Sequence, residues 1–418
     1  MTRRAGLVAA GIGLGSFAVA GLVGGLLYLA GHPVQASAAP LYAHWLPHVG
    51  PGTPLAVLVA GLTWHFGPAL SARLRWAALH AAAYATAVAW TLSLALIDGW
   101  QRGIAGRLTT RPEYLHDVRG VTGIPAMLRG FTARILDFQP DSWTTHVAGH
   151  PPGALLVFVA LDRLGLPGGG WAGLLCILAG ALVAVTVPQT VRRLGDDATA
   201  RACVPFLVLF PGAVWSGVSA DGLFAGVTSA GIMLLAANGW LRPLAGGVLL
   251  GVGCYLSYGL VLMAIPAFAV VLRRRSAKAL IAGLLGAGAV AAAFTAAGFD
   301  WLTGYHLVQQ RYYQGLAAHR PYFYWVWADL AILVVSAGPA AAAALPRTVR
   351  TAAVGAVLAI VAADLSGFSK AEVERIWLPF AVWLLAATGS LPARDRRWWL
   401  LAQAAVALLV NHLLLTTW

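Results

Sequence analysis

The sequence predicts an all-α, polytopic integral membrane protein with about 12–14 transmembrane helices. Three observations carry this. Of 418 residues, 59% are hydrophobic and only 10% charged. Mean hydropathy is +0.75. The basic residues sit in short clusters between long apolar runs. A soluble domain needs about a quarter charged residues to cover its core. The composition therefore excludes a soluble globular protein, a disordered chain and a nucleic-acid-binding domain, so no nucleic-acid partner is expected.

The net charge of +13 follows the positive-inside pattern. Arg3-Arg4, Arg73/Arg75, Arg273–Arg275 with Lys278, Arg347/Arg350 and Arg394/Arg396/Arg397 all flank apolar runs. Such clusters also meet anionic lipid headgroups. The three cysteines, Cys176, Cys203 and Cys254, lie inside apolar runs without CxxC spacing and read as buried small hydrophobes.

Taken in order, helix 1 covers about 5–30 and leaves the cytoplasm. It is too long for the apolar region of a signal peptide and reads as a retained span. Helices at about 53–70 and 76–97 follow, the latter ending at Asp98. Residues 99–150 form the long polar stretch, an outer loop of juxtamembrane helices. From the other end, spans are expected at 398–417, 376–391, 351–366, 322–345 and 278–299, with 300–321 outside. The run 244–271 is interrupted by Gly251–Gly259 and Pro266. It is too long for one span and too short for two, so two short helices should meet near Tyr255–Tyr258. The run 153–166 carries Asp162-Arg163 and is short for a crossing. Either it is re-entrant, or 165–202 is inverted against the charge rule. The pairs Gly11/Gly15 and Gly247/Gly251 read as helix-packing devices. The whole chain, 1–418, reads as a single transmembrane domain: two extra N-terminal helices (1–75), the outer loop (99–150) and the remaining helices (151–418).

Many of the 15 acids fall outside or at outer helix ends, where they are expensive to keep. The polar stretch contains Arg111-Pro-Glu113-Tyr114-Leu-His116-Asp117. It closes with Asp141-Ser-Trp-Thr-Thr-His146-Val-Ala-Gly-His150-Pro151-Pro152, which opens the next apolar run. If a divalent metal binds, Asp98, Glu113 and His150 are its candidate ligands.

A helix ending in an acid, a long outer loop, and then His-Pro-Pro opening the next helix resembles the GT-C superfamily of membrane glycosyltransferases. The protein O-mannosyltransferases and aminoarabinose transferases have the most similar pattern. The matching residues are Asp98, His150-Pro151-Pro152, Phe210-Pro211 with Ser219-Ala-Asp221, and Gly247–Gly259 with Pro266. Lys370-Ala-Glu-Val-Glu374-Arg375-Ile-Trp-Leu-Pro379 resembles the charged start of a late helix in actinobacterial members. The resemblance covers roughly 78–390. It departs where Asp98 is followed by Gly99-Trp100 instead of a second acid, which leaves Glu113 as the second carboxylate.

The resemblance implies inverting transfer of a sugar from a polyprenyl-phosphate donor to a cell-envelope glycan, lipid or protein. The reaction would take place at the outer face of the bacterial cytoplasmic membrane, with membrane lipids as surroundings. An acceptor hydroxyl needs a carboxylate base, and a departing phosphate needs cations. Asp98 is the expected base and Glu113 its partner. Lys370 and Arg375 are the expected phosphate ligands, with Arg311 and Arg320 as further phosphate or acceptor contacts. His146, His150, Asp221, Tyr258 and Glu374 complete the expected substrate-binding set. A transporter or lipid flippase is the competing class, and Asp329 and Asp364 would carry it.

Overall fold

The computed structural model describes residues 3–346 and 353–417. Arg347, Arg350 and the start of the helix expected at 351–366 lie outside the described residues.

In a bilayer each main-chain polar group must be bonded within its own segment, so apolar runs become helices. The first elements are α1 (Arg3–Leu29), β1 (Ala43–Trp45), α2 (Gly52–Arg73) and α3 (Trp76–Ala95). A 3-10 turn, Leu96–Asp98, ends α3. The polar stretch is a chain of short helices that includes α4 (Leu115–Val118), α5 (Ile124–Gly130) and α6 (Thr145–Ala148). Then come α7 (Pro152–Arg163), α8 (Gly169–Ala181), α9 (Val183–Arg193), α10 (Asp197–Val208), α11 (Ala213–Ser216) and α12 (Ala220–Leu235). The next group is α13 (Leu241–Leu256), α14 (Ala264–Arg274), α15 (Ala277–Ala296), α16 (Trp301–Tyr313) and α17 (Tyr322–Ser336). The chain continues through α18 (Pro339–Ala344), α19 (Ala353–Ser366), α20 (Val373–Ile376), α21 (Leu378–Leu384), α22 (Arg396–Leu413) and β2 (Leu414–Thr416).

Arginine clusters define one face. Arg201 donates to the Ser71 and Leu74 carbonyls between α2 and α3, and Arg397 donates to His65. Arg193 and Arg274 cap the other chain turns there, at the Met233 and Ala237 carbonyls. The polar loop 99–150 lies on the opposite face.

The ambiguity at 153–202 resolves in favour of a helix that does not cross. Twelve-residue α7 starts on the loop face and returns to it, because Arg163 at its end donates to the Val121 and Thr122 carbonyls, both at 3.3 Å. The start of α8 abuts Ala105 and Thr109 of the same loop. From there α8 and α9 descend together to Arg192 and Arg193, as the charge rule requires.

The expected break in 244–271 is present. A 3-10 segment, Tyr258–Met263, joins α13 to α14. Here α13 packs on α15 through glycines: a Cβ on Gly247 would strike the Gly283 backbone, and one on Gly251 would meet Ala287. Gly11 and Gly15 behave differently, because nothing lies within 4 Å of either added Cβ. The N-terminal contacts are made by Gly13, against Val334 and Ala342, and by Gly24, against Ala39 and Tyr324. A packing role assigned from GxxxG spacing alone therefore fails on α1, where the spacing falls on the face turned away from the protein.

Two further differences concern ends of spans. The run 322–345 is two helices, because Gly338 adopts φ 98° between α17 and α18 with the Gln403 side chain packed against it. The last helix stops at Leu413, where the chain turns extended and pairs antiparallel with β1, Ala43 opposite Thr416. Cys176 and Cys203 are buried and Cys254 is half-buried, all three as free thiols.

Candidate active site

Helix length sets the depth of the site. α10 has 12 residues and α12 has 16, so they rise only about 18 and 24 Å against a ~30 Å hydrocarbon core. Their connection, with α11 inside it, therefore stops short of a full crossing. Asp221, in the first turn of α12, is buried at this level.

The loop 367–377, between α19 and α21, brings the cations. Ala371 and Glu372 both adopt left-handed φ, 66° and 64°. Two consecutive non-glycine residues in this region cost roughly 1–3 kcal/mol each. The turn aims Glu372 between two arginines: Arg320 Nη2 is 2.8 Å from Oε1, and Arg375 Nη2 is 3.0 Å from Oε2. Arg375 Nη1 reaches on to Asp221 Oδ2 at 2.7 Å. An Arg320–Glu372–Arg375–Asp221 chain thus ties α20 to α12. Burial works against ionising Glu372, but Arg375 and Arg320 outweigh it and hold the carboxyl below its usual range. Among the described residues Lys370 makes no ion pair. Its Nζ donates to the Ala317 and Arg320 carbonyls at 2.7 and 3.1 Å, beside the rings of Tyr312 and Tyr313.

The polar loop forms the other wall. Asp117 accepts from the Thr144 amide and hydroxyl at 2.9 and 2.7 Å, which fixes the start of α6. His146 on α6 is held by its amide to the Pro112 carbonyl, and His150 Nδ1 lies 2.7 Å from the His146 carbonyl. The two imidazoles stack 6.4 Å apart, with Tyr114 against both. Burial, with Arg375 and His150 adding to it, keeps His146 well below the usual histidine value, so it is neutral near pH 7. Its Nε2 stands 3.7 Å from Glu113 Oε1, beyond hydrogen-bond length.

Glu113 is only 5% exposed, and its Oε2 is buried without a hydrogen-bond partner. Burial pushes its carboxyl up to about 7; Arg375 opposes the shift, while Asp221 and Glu372 add to it. Glu374, fully buried, accepts the Tyr42 amide at 3.0 Å and is pushed by burial up to about 7.

No protein-family model and no curated protein matches this chain. It is similar to a solved structure, ArnT from Cupriavidus metallidurans in the apo state. The TM-score is 0.45 and the sequence identity 17%. The match covers 74% of this chain and 59% of that one.

The structure thus brings Glu113, His146, His150, Asp221, Arg320, Glu374 and Arg375 into one electrostatic neighbourhood, with Lys370 beside Arg320. Three expected residues stand apart. Asp98, expected as the base, is bound on both oxygens, by Arg102 at 3.1 Å on Oδ1 and Arg107 at 3.0 Å on Oδ2, and His48 Nε2 lies 3.0 Å from Oδ1. Among the described residues no bond or ion pair links it to Glu113, because the short turns over 101–109 fold back on the end of α3, with Gly103 against Ala95 and Arg107 on Asp98. Arg311, expected on substrate, pairs with Asp137 at 2.7 Å. Tyr258 packs with Trp301 and Tyr305 at the α13–α14 apex. The metal set of Asp98, Glu113 and His150 does not assemble. Among the described residues no three His, Cys, Asp or Glu side chains stand close enough to hold an ion. Sequence reasoning missed Tyr114, Tyr42 and the bridging role of Glu372. Its one usable signal was Glu372 lying between Lys370 and Arg375.

Proposed function

We propose that this protein is a GT-C-type membrane glycosyltransferase that moves a sugar from a polyprenyl-phosphate donor onto an envelope acceptor at the outer, loop-bearing face. The observation that carries the reading is the meeting of a buried, half-bonded carboxylate, Glu113, with a buried cation chain, Arg320 and Arg375, in one electrostatic neighbourhood. Buried charge at this depth is costly and is kept for a task.

In this reading Glu113, rather than Asp98, is the base. A carboxyl near 7 is matched to proton transfer at neutral pH. The acceptor oxygen bonds to the anomeric carbon as its proton passes to Glu113. The bond from that carbon to the phosphate oxygen breaks with inversion, and polyprenyl phosphate leaves. Arg375 and Arg320, with Lys370, stabilise the negative charge gathering on the phosphate. Neutral His146, 3.7 Å away, places no opposing charge beside Glu113. The prenyl tail stays in lipid, and the short α10–α12 pair lets the sugar-phosphate sit below the surface.

Asp329 in α17 and Asp364 in α19 favour a second reading, transport or lipid flipping. Both acids are buried, and the Asp364 Oδ1 has no hydrogen-bond partner. The test uses purified protein in lipid nanodiscs and proteoliposomes with a radiolabelled polyprenyl-phosphate sugar and membrane extracts as acceptor. Label in acceptor, lost in Arg375→Met, supports transfer. Label that crosses the bilayer still attached to its prenyl phosphate supports flipping instead.

A further inference from the structure

The segment between α1 and α2 lies outside the region that resembles a glycosyltransferase, yet it enters the site. It is tied down along its length. Trp325 Nε1 donates to the Val34 carbonyl at 3.2 Å, and Tyr324 OH donates to Ala20 at 2.9 Å. Immediately after Tyr42, β1 pairs with β2, and Thr417 Oγ1 donates to the Tyr42 carbonyl at 3.4 Å. Between these anchors Tyr42 does two things. Its amide donates to Glu374 Oε1 at 3.0 Å, and its ring faces the Arg320 guanidinium 5.2 Å from the ring centre. Arg320 donates both to Glu372 and to the Lys370 carbonyl, at 2.8 Å each. It is therefore the end member of the cation chain, fixed to both sides of the strained 371–372 turn. Three groups hold that guanidinium: a carboxylate, a carbonyl and an aromatic face. The third is supplied from more than 270 positions away by a clamp built from both ends of the chain.

We propose that Tyr42 is a positioning residue of the candidate active site, its ring and amide holding Arg320 and Glu374 so that the Arg320–Glu372–Arg375 chain is preset for the donor phosphate. This rests on the reading given above. A preset guanidinium spends less ordering entropy on binding phosphate. A guanidinium over an aromatic face is also fixed in orientation. Removing the ring leaves one face of the Arg320 guanidinium unsupported and its orientation less fixed, whereas the proposed base Glu113 is untouched. The effect should fall on donor affinity and not on turnover.

The experiment uses the full-length protein in nanodiscs. Tyr42→Leu removes the ring and keeps the amide; Tyr42→Phe and Tyr42→Trp keep an aromatic face. Donor KM for Tyr42→Leu should rise about tenfold with kcat within about twofold, and both aromatic variants should stay within about twofold of wild type. Binding of a fluorescent polyprenyl phosphate is measured alongside. Wild type should bind it, and Tyr42→Leu should bind about tenfold more weakly. Equal binding by wild type and Tyr42→Leu would overturn the proposal while leaving the transferase reading intact. Absence of binding by wild type would overturn both. Loss of binding in Tyr42→Phe equal to that in Tyr42→Leu would assign the effect to the hydroxyl and overturn the ring's role. Should Tyr42→Leu fail to fold, Tyr42→Trp decides: a tenfold KM rise with unchanged thermal stability contradicts positioning by an aromatic face.

Discussion

Asp98 and Glu113 stand 15 positions apart on the same face, and their surroundings are opposite. Both oxygens of Asp98 are taken, by two arginines. Arg107 also donates to the Thr416 carbonyl, so this node ties the end of α3 to the C-terminal strand. Glu113 has one unbonded, buried oxygen, a neutral histidine as neighbour, and Arg375 within electrostatic reach. A saturated carboxylate holds structure; an unsatisfied buried one stores the cost of its desolvation and is available to a substrate proton. The comparison teaches that two carboxylates at outer helix ends can have opposite surroundings. In the proposed reading, what separates a base from a structural acid is whether its lone pairs are already used.

Substitutions should separate the two regions by size and kind of effect. The largest stability change is expected at Arg375. Arg375→Met leaves Asp221 and Glu372 buried without their shared cation and should cost about 3–5 kcal/mol, together with donor binding. Chemical unfolding in detergent and a donor-binding titration check the two parts. Asp98→Asn should come next, costing about 1–3 kcal/mol because Arg107 loses a charged acceptor in a buried site. Its readout is unfolding, with turnover little changed. Arg102→Ala should be smallest, at most about 1 kcal/mol, because its side chain is 49% exposed and solvent screens the pair.

pH sharpens the contrast from another side. The Glu113 carboxyl is raised from 4.5 to about 7 in the folded protein. An acid raised on folding holds its proton more tightly in the native state. Its contribution to stability is complete below about 4.5 and is lost as pH rises through about 7. If Glu113 is the proposed base, turnover should run the other way, rising through about pH 7 as its carboxyl loses the proton. Glu113→Gln should flatten both trends. A turnover profile flat from pH 5 to pH 9 in the wild type would remove Glu113 from the chemistry.

Much of the architecture was legible because lipid imposes simple rules. The Gly251–Pro266 break and the short, charged run ending at Asp162-Arg163 each violate the length of a span, and each proved to be where the backbone departs from a simple crossing. The Arg clusters fixed one face. The site was legible only in part. His150, Asp221 and Arg375 could be picked out from motifs, but which acid is saturated depends on partners far along the chain. His48 lies 50 positions before Asp98, and Arg311 finds Asp137 across 174 positions. Nothing local marks Ala371 and Glu372 as left-handed, since glycine or asparagine is the usual sign of that conformation. The β1–β2 pairing was hidden for the same reason, being a long-range bond between two short, apolar segments.

The central claim is that Glu113 and not Asp98 takes the acceptor's proton. Single-turnover transfer from a radiolabelled polyprenyl-phosphate sugar tests it directly, with Glu113→Gln and Asp98→Asn measured side by side at pH 8 after folding is verified. The account predicts a loss of about 10²–10⁴-fold for Glu113→Gln and less than about tenfold for Asp98→Asn. Near-wild-type transfer by Glu113→Gln, beside abolished transfer in a well-folded Asp98→Asn, would contradict it.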